Sequence, residues 1–347
     1  MNSYIEAIAC HLPDLVVTND QLKLENPDWD MDAIALKTGV YQRHIASQHE
    51  TAFDLAKVAV DNLFGHTKHQ LKNLDGIIFC TQSADFILPQ NSHLLHKYLR
   101  LDDAVFTFDL NLACSGFIYA LSIADSFIKS YKAKSILIVT SDTYSKYIHP
   151  RNRSLRTLFG DGASAILLSS DSDIIGFNRF DLSTSGAGYD RFIIPAGGSR
   201  EAIDNSSDFV YLDNFGNINS KNKIHMDGMA VWSFINSKVP QQINSHLEKI
   251  DKTMNQFDHV FFHQGSKFTL DSLNKVLNLN EATSHTNLSL IGNTVSSSIP
   301  FCIHNALENS NTANQIKAGH NVMLSGFGVG LSYGVTSFAY ERECDAY

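Results

Sequence analysis

Residues 106–130 read FTFDLNLACSGFIYALSIADSFIKS. The run opens as a short strand and breaks at Asn111, Ala113, Cys114, Ser115 and Gly116. It continues as a helix that is apolar on nearly every side, through Phe117, Ile118, Tyr119, Leu121, Ile123, Ala124, Phe127 and Ile128. A helix apolar all round is a buried helix. Cys114 therefore sits where a strand turns into a buried helix. The unpaired N–H groups and the positive dipole end of that helix favour thiolate. The position suits a nucleophile, but free cysteine is also a common buried residue, so position alone leaves the role open.

The chain has 347 residues, enough for two ordinary domains or one large one, and 44% apolar content supports a sizeable core. A net charge of −9 argues against a nucleic-acid partner. No apolar run approaches a membrane span, and the one after Cys114 is interrupted by Asp125 and Lys129. The start, MNSYIEAIACHLPD, lacks a basic region and carries Glu6, so it does not read as a signal peptide. The cysteines (Cys10, Cys80, Cys114, Cys302, Cys344) are odd in number, scattered and without a C-x-x-C pair. The expected setting is the reducing cytoplasm.

Apolar runs at Tyr4 to Cys10, Gly76 to Thr81, Ser135 to Thr140, Ala163 to Ser169, Val260 to Phe262 and Asn321 to Leu324 read as strands, with Ile174 to Leu182 as an extension of the fourth. Helical patterns fall at Glu50 to Phe64, Asn91 to Leu99, Met229 to Ile250, Phe268 to Leu277 and Pro300 to Glu308. The stretch from the first strand to Thr38-Gly39 reads as polar and proline-marked, and Ser183 to Asn222 as irregular. Strands apolar on both faces that alternate with helices make an α/β sheet covered on both sides.

The halves look alike. DGIIFCTQS, from Asp75 to Ser83, lies over DHVFFHQGS, from Asp258 to Ser266. NLACSG, from Asn111, lies over NTVSSS, from Asn293, and the two pairs keep one spacing to within a residue. Such self-similarity marks a duplicated α/β unit, with an N-terminal half 1–170 and a C-terminal half 171–347. Cys114 and Asn293 then come from equivalent strand-to-helix turns, and His263 ends the strand equivalent to the one ending at Cys80. A thiol, an imidazole and a carboxamide converge.

NLACSGF, LFGDGASAILL, PAGGSR, MDGMAVWSF, HQGSKF, GNTVSSSIP and GFGVGLSYG come in the order found in the β-ketoacyl-acyl-carrier-protein synthase III family. The resemblance runs from about KTGVYQRHI to the C-terminus. It implies the thiolase fold in five αβαβα layers, a homodimer, and an acyltransferase of fatty-acid biosynthesis. It makes Cys114 the acylated nucleophile and His263 with Asn293 the pair that handles malonyl-carrier protein. No permanent cofactor is implied; acyl-coenzyme A or the phosphopantetheine of an acyl-carrier protein is the substrate. Thiolate is both a good nucleophile and a good leaving group. His263 Nε2–H and Asn293 Nδ2–H suit the enolate left by decarboxylation. Backbone N–H groups at Cys114 and in the loop around Gly328 and Val329 hold the tetrahedral oxyanion.

The chain departs from the family at several points. Gly328-Val329-Gly330 replaces three glycines, and HQGS puts Ser266 where the family has Asn. The aromatic residue that stacks on adenine falls at Ala33, with Trp29 near, and its basic neighbour is Lys37; Arg153 matches another nucleotide contact. Leu88 stands where a bulky aromatic limits the acyl pocket. Lys37, Arg43, Arg151, Arg153, Arg156 and Lys267 are read as a basic entrance that docks an acidic carrier protein. The departures keep open acyl transfer from Cys114 to an alcohol or amine in a polysaccharide or secondary-metabolite pathway. A silent partner subunit would lack Cys114. A cysteine hydrolase pairs the same residue types but needs a cleft that this architecture does not offer. Hydroxymethylglutaryl synthase needs a Glu near Gln82.

Two further patterns carry less. GDGASA, Gly160 to Ala165, has the letters of a dinucleotide fingerprint but opens a β-rich run instead of a helix. His93 with His96, and His259 with His263, have metal-ligand spacing, but no carboxylate completes either set, and no metal site is expected.

Overall fold

The computed structural model of the chain describes residues 1–67, 70–280, 282–308, 315–341 and 344–347. The apolar strands pair into two sheets. The first runs Asp345–Ala346, Asn2–His11, Gly162–Asp171, Ser135–Asp142, Gly76–Cys80, Phe106–Leu110. The second runs Phe177–Thr184, Ser332–Ala339, Asn321–Gly328, His259–Phe262. Leaving aside the two-residue strand at the C-terminus, the sheets repeat one order. Gly76–Cys80 pairs parallel with Ser135–Asp142, as His259–Phe262 does with Asn321–Gly328. Each partner then pairs antiparallel with the strand that follows it. Where the first sheet adds Phe106–Leu110 in parallel, the second has a single parallel bridge from Val260 to Ser284.

Helices make three layers around these sheets. Gly116–Lys129 and Ser298–Glu308 lie between the sheets and touch both. Ala52–His66 and Asn91–Leu99 cover the outer face of the first sheet, and Gly228–Lys249 covers that of the second, with Lys267–Leu277 packed on it. The layers are therefore αβαβα. Strands wedged between helices are buried on both faces, which is why Gly76–Cys80 and Ser135–Asp142 are buried at every residue. The all-round apolar pattern after Cys114 has the same cause, because a central helix faces two sheets.

Three local readings change. The stretch before Gly39 holds a strand, Val16–Thr18, and two helices, Asn19–Glu25 and Met31–Thr38. Both helices are capped, by Thr18 with Gln21 and by Asp30, but they bury only Leu22 in the first and Met31 with Ala35 in the second. That is too little apolar stripe for periodicity to register. The run from Ile174 does not extend the preceding strand: Gly176, at φ 72°, turns the chain, and Phe177–Thr184 joins the other sheet. Ser332–Ala339, which is not among the strands expected from sequence, is a full central strand.

The helix bearing the turn at Cys114 packs tightly at its start. A Cβ at Gly116 would stand 2.2 Å from the Cys80 sulfur. Gly116→Ala is expected to destabilise the fold by about 1–3 kcal/mol through overpacking, read as a lower denaturation midpoint at unchanged m-value.

Candidate active site

Cys114 leaves the turn after Phe106–Leu110 and is 4% exposed. His263 follows the strand His259–Phe262, and Asn293 precedes the turn into the central helix Ser298–Glu308. All three line one cavity of about 570 Å³. Asn293 Nδ2 lies 3.4 Å from His263 Nε2. The Val295 N–H donates to Asn293 Oδ1 at 2.9 Å, which turns the amide NH₂ away from its own backbone. His263 Nδ1 is 2.7 Å from Ser298 Oγ, which also accepts the Gln264 N–H at 3.3 Å.

The turn is docked onto the first half of the chain. The Asn293 N–H donates to the Leu158 carbonyl at 2.9 Å, and the Gly160 N–H donates to the Asn293 carbonyl at 3.0 Å. A Cβ at Gly160 would lie 2.2 Å from the Ile291 carbonyl oxygen. Gly160 thus serves a close backbone approach, Gly162 leaves room for the Phe301 and Leu12 side chains, and the strand Gly162–Asp171 follows where a dinucleotide site would need a helix.

Burial sets the protonation of Cys114 and His263. It pushes the Cys114 thiol up to about 12, helped by the Asp142 charge, while the Val329 and Cys114 backbone N–H groups pull it down. The expected bias toward thiolate is therefore outweighed in the free site. Burial likewise pushes His263 down to about 3, with the Val295 backbone pulling the other way. The imidazole is neutral across the working range.

Gly328 has to be glycine, since a Cβ there would lie 2.6 Å from Cys114 Cβ and 2.8 Å from its sulfur. Val329 does not: positive φ in this loop falls at Gly330, 131°. Val329 is half-buried, and its N–H reaches the Cys114 sulfur.

Lys37, Ala33, Arg153 and Ser266 line the same cavity. Ser266 caps the helix Lys267–Leu277, accepting the Thr269 N–H at 3.3 Å. Lys37 Nζ stands 5.9 Å over the Phe268 ring, whose other neighbour is the stacked Trp232. The basic entrance is smaller than expected. Arg43 is fully buried and donates to the Val17 and Thr157 carbonyls and to Asn19. Arg151, Arg156 and Lys267 pair with Asp28, Glu25 and Asp271. Lys37 and Arg153 are left facing the cavity. Trp29 packs with Leu22 and Met31 in a separate cluster and does not reach the mouth. Leu88 is 84% exposed and lies outside the cavity of its own chain. His259 hydrogen-bonds to His285 and His320, each at 2.8 Å. Among the described residues no group of three or more His, Cys, Asp or Glu is arranged to hold a metal ion.

Sequence reading missed the apolar wall of Phe159, Phe192, Met226, Trp232 and Phe268: the first three lie in segments without helical periodicity, and Trp232 and Phe268 sit on expected helices whose pattern does not tell a cavity-lining face from a packed one. It also missed Asp142, although a carboxylate ending the run SILIVTSD is a visible anomaly.

Comparison with known proteins agrees with this geometry. Residues 108–186 match the family described as 3-oxoacyl-[acyl-carrier-protein] synthase III, and residues 247–340 match its C-terminal family. The chain is 31% identical over 335 residues to the β-ketoacyl-[acyl-carrier-protein] synthase III of Fusobacterium nucleatum, covering 96% of this chain and 97% of that one. A solved 3-oxoacyl-(acyl-carrier-protein) synthase III superposes with a TM-score of 0.94 at 35% identity, covering 98% of this chain and 100% of that one. The enzyme of Pseudomonas aeruginosa does so at 0.84 and 27%, covering 99% of both. With this fold, full-length similarity and matching family profiles, the chain belongs to the 3-oxoacyl-[acyl-carrier-protein] synthase III family: it is a thiolase-fold condensing enzyme and an acyltransferase.

Proposed function

We propose that Cys114 is the nucleophile, and that His263 and Asn293 are the donors that stabilise the second substrate. The observation that carries the reading is one cavity holding a buried thiol beside a neutral imidazole and a carboxamide whose nitrogens are 3.4 Å apart. The Cys114 sulfur attacks the acyl thioester carbonyl, and the oxyanion forms against backbone N–H groups at Val329 and Cys114. Collapse breaks the bond to the donor thiol, which leaves carrying the proton lost by Cys114. Malonyl thioester then loses carbon dioxide, and its C–C bonding pair becomes an enolate. Ser298 Oγ–H donates to His263 Nδ1, which leaves Nε2–H and Asn293 Nδ2–H facing the enolate oxygen. The carbanion attacks the acyl carbonyl, a C–C bond forms, and Cys114 leaves as thiolate to be reprotonated.

Acyl transfer to an alcohol or amine is less well supported. Such an acceptor has to lose a proton during attack, and an imidazole held at about 3 is a poor base near neutrality. For the donor, Lys37 and Arg153 suit the phosphate of a phosphopantetheine arm, whether it ends in coenzyme A or in a carrier protein. A division into halves 1–170 and 171–347 is supported by the two sheets, whose strands fall on either side of it except for Asp171, which ends the strand Gly162–Asp171, and the strand Asp345–Ala346. Among the described residues no helix is long and apolar enough to cross a membrane, and we read the enzyme as cytoplasmic. A homodimer is supported by Phe106–Leu110, an edge strand half-buried throughout, and by the exposed Phe86, Ile87 and Leu88 nearby in the chain.

Four outcomes are expected. Carbon dioxide is released from malonyl-carrier protein only with an acyl donor present. Asn293→Ala or His263→Ala lowers that turnover about 10²–10³-fold while intact mass still shows acylated Cys114; acylation without release in the native enzyme would end the proposal. Alkylation of Cys114 by iodoacetamide rises about tenfold per pH unit from pH 7 to 9, because thiolate is the reactive form, and an early plateau would contradict a thiol at about 12. Sedimentation gives a dimer for the native chain and a weakened one for Ile87→Asp.

A further inference from the structure

The strand Ser135–Asp142 is buried throughout, yet it ends in a carboxylate. Asp142 is 0% exposed, and its hydrogen bonds come from neutral donors. Oδ1 accepts the Gln82 N–H at 2.8 Å, the Ser83 hydroxyl at 3.2 Å and the Thr81 hydroxyl at 3.3 Å. Oδ2 accepts the Ser296 hydroxyl at 2.6 Å. A buried carboxylate without a cation is an expensive way to fill space, and an apolar side chain would serve a merely structural position better.

Ser296 lies three residues after Asn293, and between them Val295 takes φ 55°. A β-branched residue resists that backbone, at a cost of about 1–3 kcal/mol, and keeps it only where the surroundings over-determine it. Two anchors do so. On one side the Val295 N–H donates to Asn293 Oδ1 at 2.9 Å, and on the other the Ser296 hydroxyl reaches Asp142 at 2.6 Å. Next to them, Ser297 Oγ sits 2.9 Å from Thr140 Oγ1 and donates to the Thr140 carbonyl at 3.0 Å. Without the Ser296 tie, Ser297 alone would anchor that side of Val295, whose N–H orients the Asn293 amide.

We propose that Asp142 is a positioning residue for the condensation step: its carboxylate clamps the turn carrying Asn293 and Ser296 to the segment carrying Thr81, Gln82 and Ser83, and so sets the amide donor relative to the Cys114 sulfur. This rests on the roles proposed above for Cys114 and Asn293. Acylation of Cys114 needs the sulfur and its backbone donors, so it does not need the clamp; decarboxylation and condensation do.

The test uses full-length Ser296→Ala, which cuts the tie and keeps the charge, Asp142→Asn, which keeps the shape and removes the charge, and Asn293→Ala. Each is assayed for single-turnover acylation of Cys114, for kcat and KM of condensation, and for its melting temperature. Ser296→Ala is expected to lower condensation kcat about 10–100-fold, with KM and the acylation rate within about threefold of native. Asp142→Asn is expected to lower condensation kcat in the same way where it folds, while its acylation rate rises, because the charge that disfavours the Cys114 thiolate is gone. Equal losses in acylation and condensation, or native condensation in Ser296→Ala, overturn the proposal. If Asn293→Ala itself condenses normally, the role given to Asn293 has failed and the clamp fails with it; loss in Asn293→Ala beside a native Ser296→Ala removes the clamp alone.

Discussion

Two backbone hydrogen bonds hold the chemistry together: the Asn293 N–H to the Leu158 carbonyl, and the Gly160 N–H to the Asn293 carbonyl. The Cys114 sulfur belongs to one sheet's connections and His263 and Asn293 to the other's, and among the described residues no strand pairing joins the two sheets. The separation between Cys114 and the His263–Asn293 pair is therefore only as fixed as the contacts between halves. A main-chain bridge is the stiffest contact available, because it fixes dihedrals on both sides and leaves no rotamer to choose. It needs two chains within hydrogen-bond distance, which explains glycine at 160, and at 292, where φ is 70° and a Cβ would stand 2.8 Å from the Leu158 carbonyl oxygen.

Magnitudes explain why the thiol is not a resting thiolate. A helix N-terminus stabilises a nearby anion by about 0.3–1 kcal/mol, and by up to about 2 kcal/mol in favourable geometry. Full burial shifts an ionisable group by up to about 3–5 pK units, and each unit is about 1.4 kcal/mol. The dipole expected to favour thiolate is thus outweighed several-fold, before the Asp142 charge is considered. The outcome suits the chemistry. With thiol and imidazole both neutral, the negative charge that develops at the reacting centre appears during turnover, where preorganised N–H groups in a low dielectric act most strongly.

Much of this was legible in the sequence, for physical reasons. Strands buried on both faces are continuous apolar runs, so Gly76–Cys80 and Ser135–Asp142 announced themselves. The duplication was visible because both copies keep a fully buried strand running into a polar turn, which preserved the likeness of DGIIFCTQS and DHVFFHQGS, although only the second copy lines the cavity, through His263 and Ser266. Other features were not legible. Ser332–Ala339 is a strand whose glycines fit tight packing, since a Cβ at Gly334 would lie 2.9 Å from Leu182 Cδ2, and the same glycines mimic a loop. Arg43 looked like a solvated entrance charge because sequence does not distinguish a guanidinium that reaches solvent from one spent on buried carbonyls. The protonation states depend on burial, which no local pattern encodes.

The absence of a strong base bears on which nucleophile the enzyme can use. Among the described residues lining the cavity, the only carboxylate is Asp30, which caps the helix Met31–Thr38. The only imidazole there is held at about 3. An acceptor that must be deprotonated finds little help in such a site. Malonyl thioester needs none, because breaking its C–C bond to carbon dioxide releases the electron pair that attacks. What the protein has to supply is a place for that pair to rest on oxygen, and neutral N–H donors provide it without competing for a proton. In the role proposed for His263, its depressed basicity favours the decarboxylative route: a more basic imidazole would be cationic in part of the population near neutrality, and a proton carried on it would quench the carbanion that decarboxylation releases.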